Sequence, residues 1–128
     1  MSIKIEISYG ELLDKITILE IKSARIHDAT KVANVEKELS VLSNAWSNAG
    51  VDVALVAEER QTLKQINETL WDIEDEIRRQ EADKSFGAEF ISLARRVYKT
   101  NDQRAQVKRN INQKLGSGLI EEKSYQSY

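Results

Sequence analysis

The stretch RRVYKTNDQRAQVKRNIN, residues 95–112, sets polar groups where a helix should carry its apolar seam. Phe90, Ala94 and Val97 open that seam at 3-4 spacing, Asn101, Arg104 and Lys108 continue it, and Ile111 and Leu115 close it. Arginine offers carboxylates and phosphates a planar fork of donors, lysine offers a point charge, and Asn and Tyr side chains fix orientation. Tyr98, Asn101, Arg104 and Lys108, flanked by Arg109 and Asn112, are therefore a candidate site for a small anionic, phosphorylated ligand. The same groups also have a purely structural use. In a helical hairpin turning near residue 85, facing residue numbers sum to roughly 171. Glu59 then falls near Asn112 and one turn from Lys108, so that Glu59 and Lys108 form a partly buried ion pair while Arg104 snorkels outward.

A second constellation is acidic. Glu11 with Asp14, and Asp72 with Asp75, each project two carboxylates from one helix face. Such pairs hold Mg²⁺ in helical nucleotide pyrophosphohydrolases, which offers an enzymatic alternative with Mg²⁺ as cofactor. Those enzymes carry E-x-x-E or E-x-x-D elements close together, whereas these pairs lie far apart in the chain and use Asp in place of Glu. Solubility and i,i+4 pairing, as between Glu74 and Arg78, explain them without a metal. A helical mutase of the chorismate type also directs Arg and Lys into a bundle, but ELLDKITILEIKSARI lacks its arginine-rich first helix apart from Arg25.

Other chemistries are closed by composition. No cysteine is present, which removes disulfides, thiolate nucleophiles and Cys-ligated zinc, and a single histidine, His27, supports neither a histidine metal site nor a Ser-His-Asp triad. With 19 basic against 21 acidic side chains, no global field draws the chain to nucleic acid or anionic lipid. The basic residues of 95–114 are spread around their helix, and only Tyr98 interleaves with them, which argues against a nucleic-acid stripe. No apolar run is long enough to span a bilayer, and the N-terminus alternates where a signal peptide would be continuously apolar, so a cytoplasmic protein is expected.

The elements that must position these groups are helical, because the chain is 31% charged, has no proline and contains only 5 glycines. Ile3, Ile5 and Ile7 alternate with Lys4, Glu6 and Ser8, which predicts a short extended segment over residues 1–8 that needs a strand partner, a second copy of itself or packing as extended chain. Ser8 with Glu11 reads as a capping box that starts helix 1 near Tyr9, and this helix runs to about Asp28. Its apolar residues form two stripes, Leu12, Ile16, Leu19 and Ile26 on one side and Ile18 and Ile21 on the other. Either a central position or a homodimer interface would cover both, and a homodimer is expected.

Helix 2 is predicted from about Lys31 to Ala49, with Val35, Leu39, Leu42 and Trp46 on its inner face and Gly50 as its stop. Helix 3 should extend from about Val53 to Ala82, along Val56, Leu63, Ile66, Leu70, Ile73 and Ile77. The link DKSFG forces a hairpin into helix 4, about Ala88 to Leu115, and GSG then frees residues 116–128 as a tail. Nine acidic side chains in residues 58–83 and seven basic ones in residues 95–114 are expected to face each other across that hairpin. The whole reads as one mainly α domain over residues 1–128, a four-helix bundle-like unit with a long helix 3/helix 4 hairpin.

ISYGELLDKITILEIK, LWDIEDEIR, VYKTNDQRAQVKRNIN and EEKSY together resemble a small bacterial and phage family known as a domain of unknown function. The resemblance spans nearly the whole chain. It implies a compact helical domain found alone or in the company of sugar-transfer enzymes, hence a sugar-transfer enzyme as a partner and a phosphate-bearing sugar as a ligand; it carries no catalytic residue. The expected function is a non-catalytic binding or accessory module that recognises a phosphorylated small molecule or a partner protein and needs no cofactor. The alternative is a small helical enzyme acting on a phosphorylated or carboxylated substrate.

Overall fold

The computed structural model describes residues 1–128 as four helices and no strand: α1 (Tyr9–Arg25), α2 (Ala29–Asn48), α3 (Ala57–Ala82) and α4 (Ala88–Leu115). A single 3-10 turn, Val53–Val56, leads into α3, so the helix 3 expected from Val53 is tightened in its first turn. α1, α2 and the 3-10 turn each start at a side-chain cap, whereas α3 and α4 have none. The Ser8 hydroxyl accepts the Glu11 N–H, the Asp28 carboxylate accepts the Lys31 N–H, and the Asp52 carboxylate accepts the Ala54 N–H. α4 stops at Gly116, whose φ of 66° places it in the left-handed region that glycine adopts without strain.

α1 is the centre of the molecule. It packs against α2 on one side and against the α3/α4 hairpin on the other. Leu12, Ile16 and Leu19 of one stripe and Ile21 of the other are buried within the chain, as is Leu13, while Ile26 and Ile18 are half-buried. Most of the two-sided helix is thus covered by the chain's own helices. Leu12, Leu13 and Ile16 form a core with Trp46, Val56, Leu63 and Ile111, drawn from every helix and from the 3-10 turn. No helix is long and apolar enough to cross a membrane.

The two ends of the chain depart from expectation in opposite ways. Residues 1–7 make no backbone hydrogen bond and form no strand. The tail, expected to be free, folds back onto α4 through ion pairs of Glu121 and Glu122.

Candidate functional site

The polar seam of α4 is built against α1. Its anchor is Arg104, whose Nε donates to Asp14 Oδ1 at 2.8 Å while Nη2 donates to Asp14 Oδ2, a two-pronged pairing of guanidinium and carboxylate. Asp14 is only 1% exposed. Asn67 of α3 completes its shell, donating from Nδ2 to Asp14 Oδ1 and to Thr17 Oγ1, both at 3.0 Å, and the Thr17 hydroxyl donates to the Asp14 carbonyl at 2.9 Å. A buried carboxylate is tolerable because each of its oxygens is matched by a donor. The pairing with Asp14 outweighs burial and holds the Arg104 pKa above its ordinary value.

One turn further along α4, Lys108 donates to Glu11 Oε2 and to Glu121 Oε2, each at 2.7 Å. Burial alone would push this ammonium down; the two carboxylates more than offset it, so the Lys108 pKa is raised. Glu11 is thereby drawn away from the reciprocal capping box, and only the Ser8 half of that motif forms. Asn112, next along the helix, accepts the Gly10 N–H on Oδ1 at 2.7 Å and so caps α1 from outside. Gly10 permits this approach: a Cβ at that position would lie 2.4 Å from the Lys108 carbonyl oxygen.

Glu59 does not reach Lys108. It pairs with Lys114, whose hydrogen bond holds the Glu59 carboxyl below the usual carboxylate range. The residue-sum register of the hairpin is close to the expected one, yet the azimuth differs, because α4 lies between two neighbours and turns its polar seam toward α1. Most paired acids of α3 are satisfied elsewhere: Glu74 by Arg78, Glu76 by Arg79 and Asp72 by Arg25 of α1. The expected face-to-face charge match of α3 and α4 is thus reduced to one pair, Glu59 with Lys114.

The acidic pairs do not converge. Glu11 and Asp14 are held by Lys108 and Arg104, Asp72 is held by Arg25, and nowhere do three His, Asp or Glu side chains come together as a ligand set.

Beside Arg104 a cleft of about 440 Å³ opens between α1, α3 and α4. Ile18, Ile21, Leu70, Trp71 and Val97 form its apolar wall, and Asn67, Asn101 and Arg104 supply polar groups. Glu74, Asp75 and Arg78 stand along its α3 side. The Arg25 guanidinium lies 5.8 Å from the centre of the Trp71 ring and fixes that ring from the α1 side. Arg104 also lines the small recess beneath the tail, with Lys108 and Glu121. Of the six α4 residues singled out by type, Asn101 and Arg104 reach the cleft, whereas Lys108, Arg109 and Asn112 lie on the tail side. Tyr98 is farther out, edge-on to Tyr128 with ring centres 5.3 Å apart.

Several participants were hidden from sequence reasoning. Asn67 and Thr17 are short polar residues inside apolar runs, and that interruption is the one signal they leave. Glu121 and Glu122 looked like tail residues, yet they take Lys108 and Arg109 as partners, and Tyr128 donates to Asp102.

Tail docking should depend on pH with a definite sign. The hydrogen bond from Lys108 holds the Glu121 pKa below its ordinary value in the docked state, so docking is fully supported above the ordinary carboxylate range and weakens as pH falls through the lowered value. Limited proteolysis after residue 116 should therefore accelerate near pH 3 relative to pH 7, about the span over which carboxylates protonate. An acid-stable protease with unchanged cleavage across that span would contradict it.

No curated protein and no solved structure matches the chain. The model of one family, described as a family of unknown function, DUF6165, matches residues 3–128, nearly the full length. The chain thus belongs to the DUF6165 family of unknown function.

Proposed function

We propose that this protein is a non-catalytic binding module of the cytoplasm, and that its ligand is a small molecule carrying an acidic group, of the phosphorylated sugar or nucleotide kind. The observation that carries this reading is the state of Arg104. Asp14 uses two of its N–H groups, and of the five a guanidinium offers, three are left without a protein partner, on a side chain that lines the cleft. A guanidinium held rigidly from behind has lost its rotamer entropy before any ligand arrives, so its remaining donors are preorganised. The apolar wall beside it suits a ring or other weakly polar body, with Trp71 as the largest contact surface and Asn101 as an orienting polar group.

The charges around the cleft favour a mono- or dianion of modest size over a polyanion. Arg104 is matched by Asp14 and Arg78 by Glu74, while Asp75 adds a negative group on the α3 side. A phosphate on Arg104 with its organic body against Trp71 keeps clear of that acid.

The test is a thermal-shift and calorimetry screen with hexose phosphates and nucleoside monophosphates. A ligand that binds only the folded chain raises Tm, and the effect should weaken by about tenfold in affinity in Asn101→Ala and in Trp71→Ala. Neither residue belongs to the buried Asp14 network, so both variants should keep the fold. Absence of a shift with every compound of both classes, from a correctly folded protein, would remove the proposal.

A further inference from the structure

Residues 1–7 carry a strand pattern, yet none of their backbone groups is hydrogen-bonded within the chain. Ile3 and Ile5 are 89% and 74% exposed, and Ile7 alone packs partly against the core. Backbone donors and acceptors in such a segment are a template for pairing with another strand. The segment ends at a groove of about 460 Å³, where Ile5, Ile7, Tyr9 and Leu12 meet Leu119 of the tail. Leu119 and Ile120 are both about half exposed, which extends the apolar surface around the groove.

We infer that residues 3–7 pair antiparallel with the same residues of a second copy, about a two-fold axis at Ile5, and so join two chains into a dimer. The charges select this occupant and this register. With the axis at Ile5, residue 3 faces residue 7 of the other copy and residue 4 faces residue 6, so each Lys4 meets a Glu6 and each Glu6 meets a Lys4. Opposite charges directly across a strand pair stabilise it, and like charges destabilise it. Moving the axis to residue 4 sets Lys4 against Lys4, and moving it to residue 6 sets Glu6 against Glu6. Parallel in-register pairing produces both clashes at once.

The same register collects Ile3, Ile5 and Ile7 of both copies on one face of the ribbon, opposite the charged pairs. A lone two-stranded ribbon is marginal in water, so this face must be covered. The grooves containing Tyr9, Leu12 and Leu119, one in each copy, are the apolar surfaces attached to the ribbon ends. An isologous contact of this kind closes on itself and stops at two chains.

Sedimentation equilibrium on the full chain tests the inference. The unaltered protein should dimerise in the micromolar range. Lys4→Glu and Glu6→Lys should each weaken dimerisation by about tenfold, since every substitution is felt twice in a two-fold pair. The doubly exchanged chain, Lys4→Glu with Glu6→Lys, should recover it. An equimolar mixture of the two single variants should also recover association, as a heterodimer. Neither side chain takes part in a hydrogen bond or ion pair of the folded chain, so circular dichroism should be unchanged in all of them. A strict monomer at these concentrations overturns the inference. So does a dimer indifferent to both charge changes, or a doubly exchanged chain that stays dissociated.

Discussion

Replacing Arg104 with alanine is expected to lower the unfolding free energy by about 3 kcal/mol, at the lower end of the loss when one partner of a buried ion pair is removed. The reason is what stays behind. Asp14 is 1% exposed and would keep the Asn67 amide as its remaining side-chain donor, so a charge that cannot reach water would stand nearly alone. The opposite deletion should be milder. In Asp14→Ala the Arg104 side chain, already 29% exposed, can swing toward solvent and recover hydration. The double variant should therefore lose less than the sum of the two single losses, with a coupling of about 2 kcal/mol. Urea unfolding at constant m-value measures all three, and equal losses below about 1 kcal/mol in both single variants would show that the pair is solvated. This expectation also explains why Arg104→Ala is a poor probe of ligand binding: a lost signal could reflect a loosened fold.

Much of this arrangement was legible from residue pattern, and the parts that were not share a cause. The Ser8 cap places the start of α1 at Tyr9, and the link before Ala88 with the glycines after Leu115 bounds α4 at both ends. Hairpin register was also readable, since Leu70 and Asn101, expected to face each other, line the same cleft. Helical periodicity reports which residues share a face but not which neighbour that face meets. From that pattern Lys108 is expected to meet Glu59 of α3 and Arg104 to snorkel outward, whereas α1 provides Glu11 for the one and Asp14 for the other. Those two carboxylates in turn looked like an exposed metal pair, because a short acidic spacing carries no sign of burial. The docking of Glu121 on Lys108 depends on contacts across thirteen residues and a left-handed glycine, and no local pattern encodes it.

Gly10→Ala should destabilise the protein by about 2 kcal/mol, within the range for overpacking a close contact. The sign is what makes this informative. Alanine in place of glycine inside a helix ordinarily stabilises by roughly 1 kcal/mol, through helix propensity and a less flexible unfolded chain. At Gly10 the added Cβ would sit 2.4 Å from the Lys108 carbonyl oxygen and 3.0 Å from Asn112 Oδ1. A carbon and an oxygen not otherwise bonded ordinarily stay ~3.3 Å or more apart. The first neighbour is helix backbone, which cannot rotate aside, so the start of α1 would have to move off α4. That movement would stretch the 2.7 Å bond from the Gly10 N–H to Asn112 and the adjoining 2.7 Å pair of Lys108 and Glu11. Arg104 and Asp14 lie a turn deeper along both helices and should feel less of it. Thermal unfolding of Gly10→Ala should thus show a lower Tm, with amide exchange faster at residues 9–12 than around Asp14. A raised Tm would mean that α1 and α4 are not held together at this distance, and that the polar ladder joining them is looser than its hydrogen bonds imply.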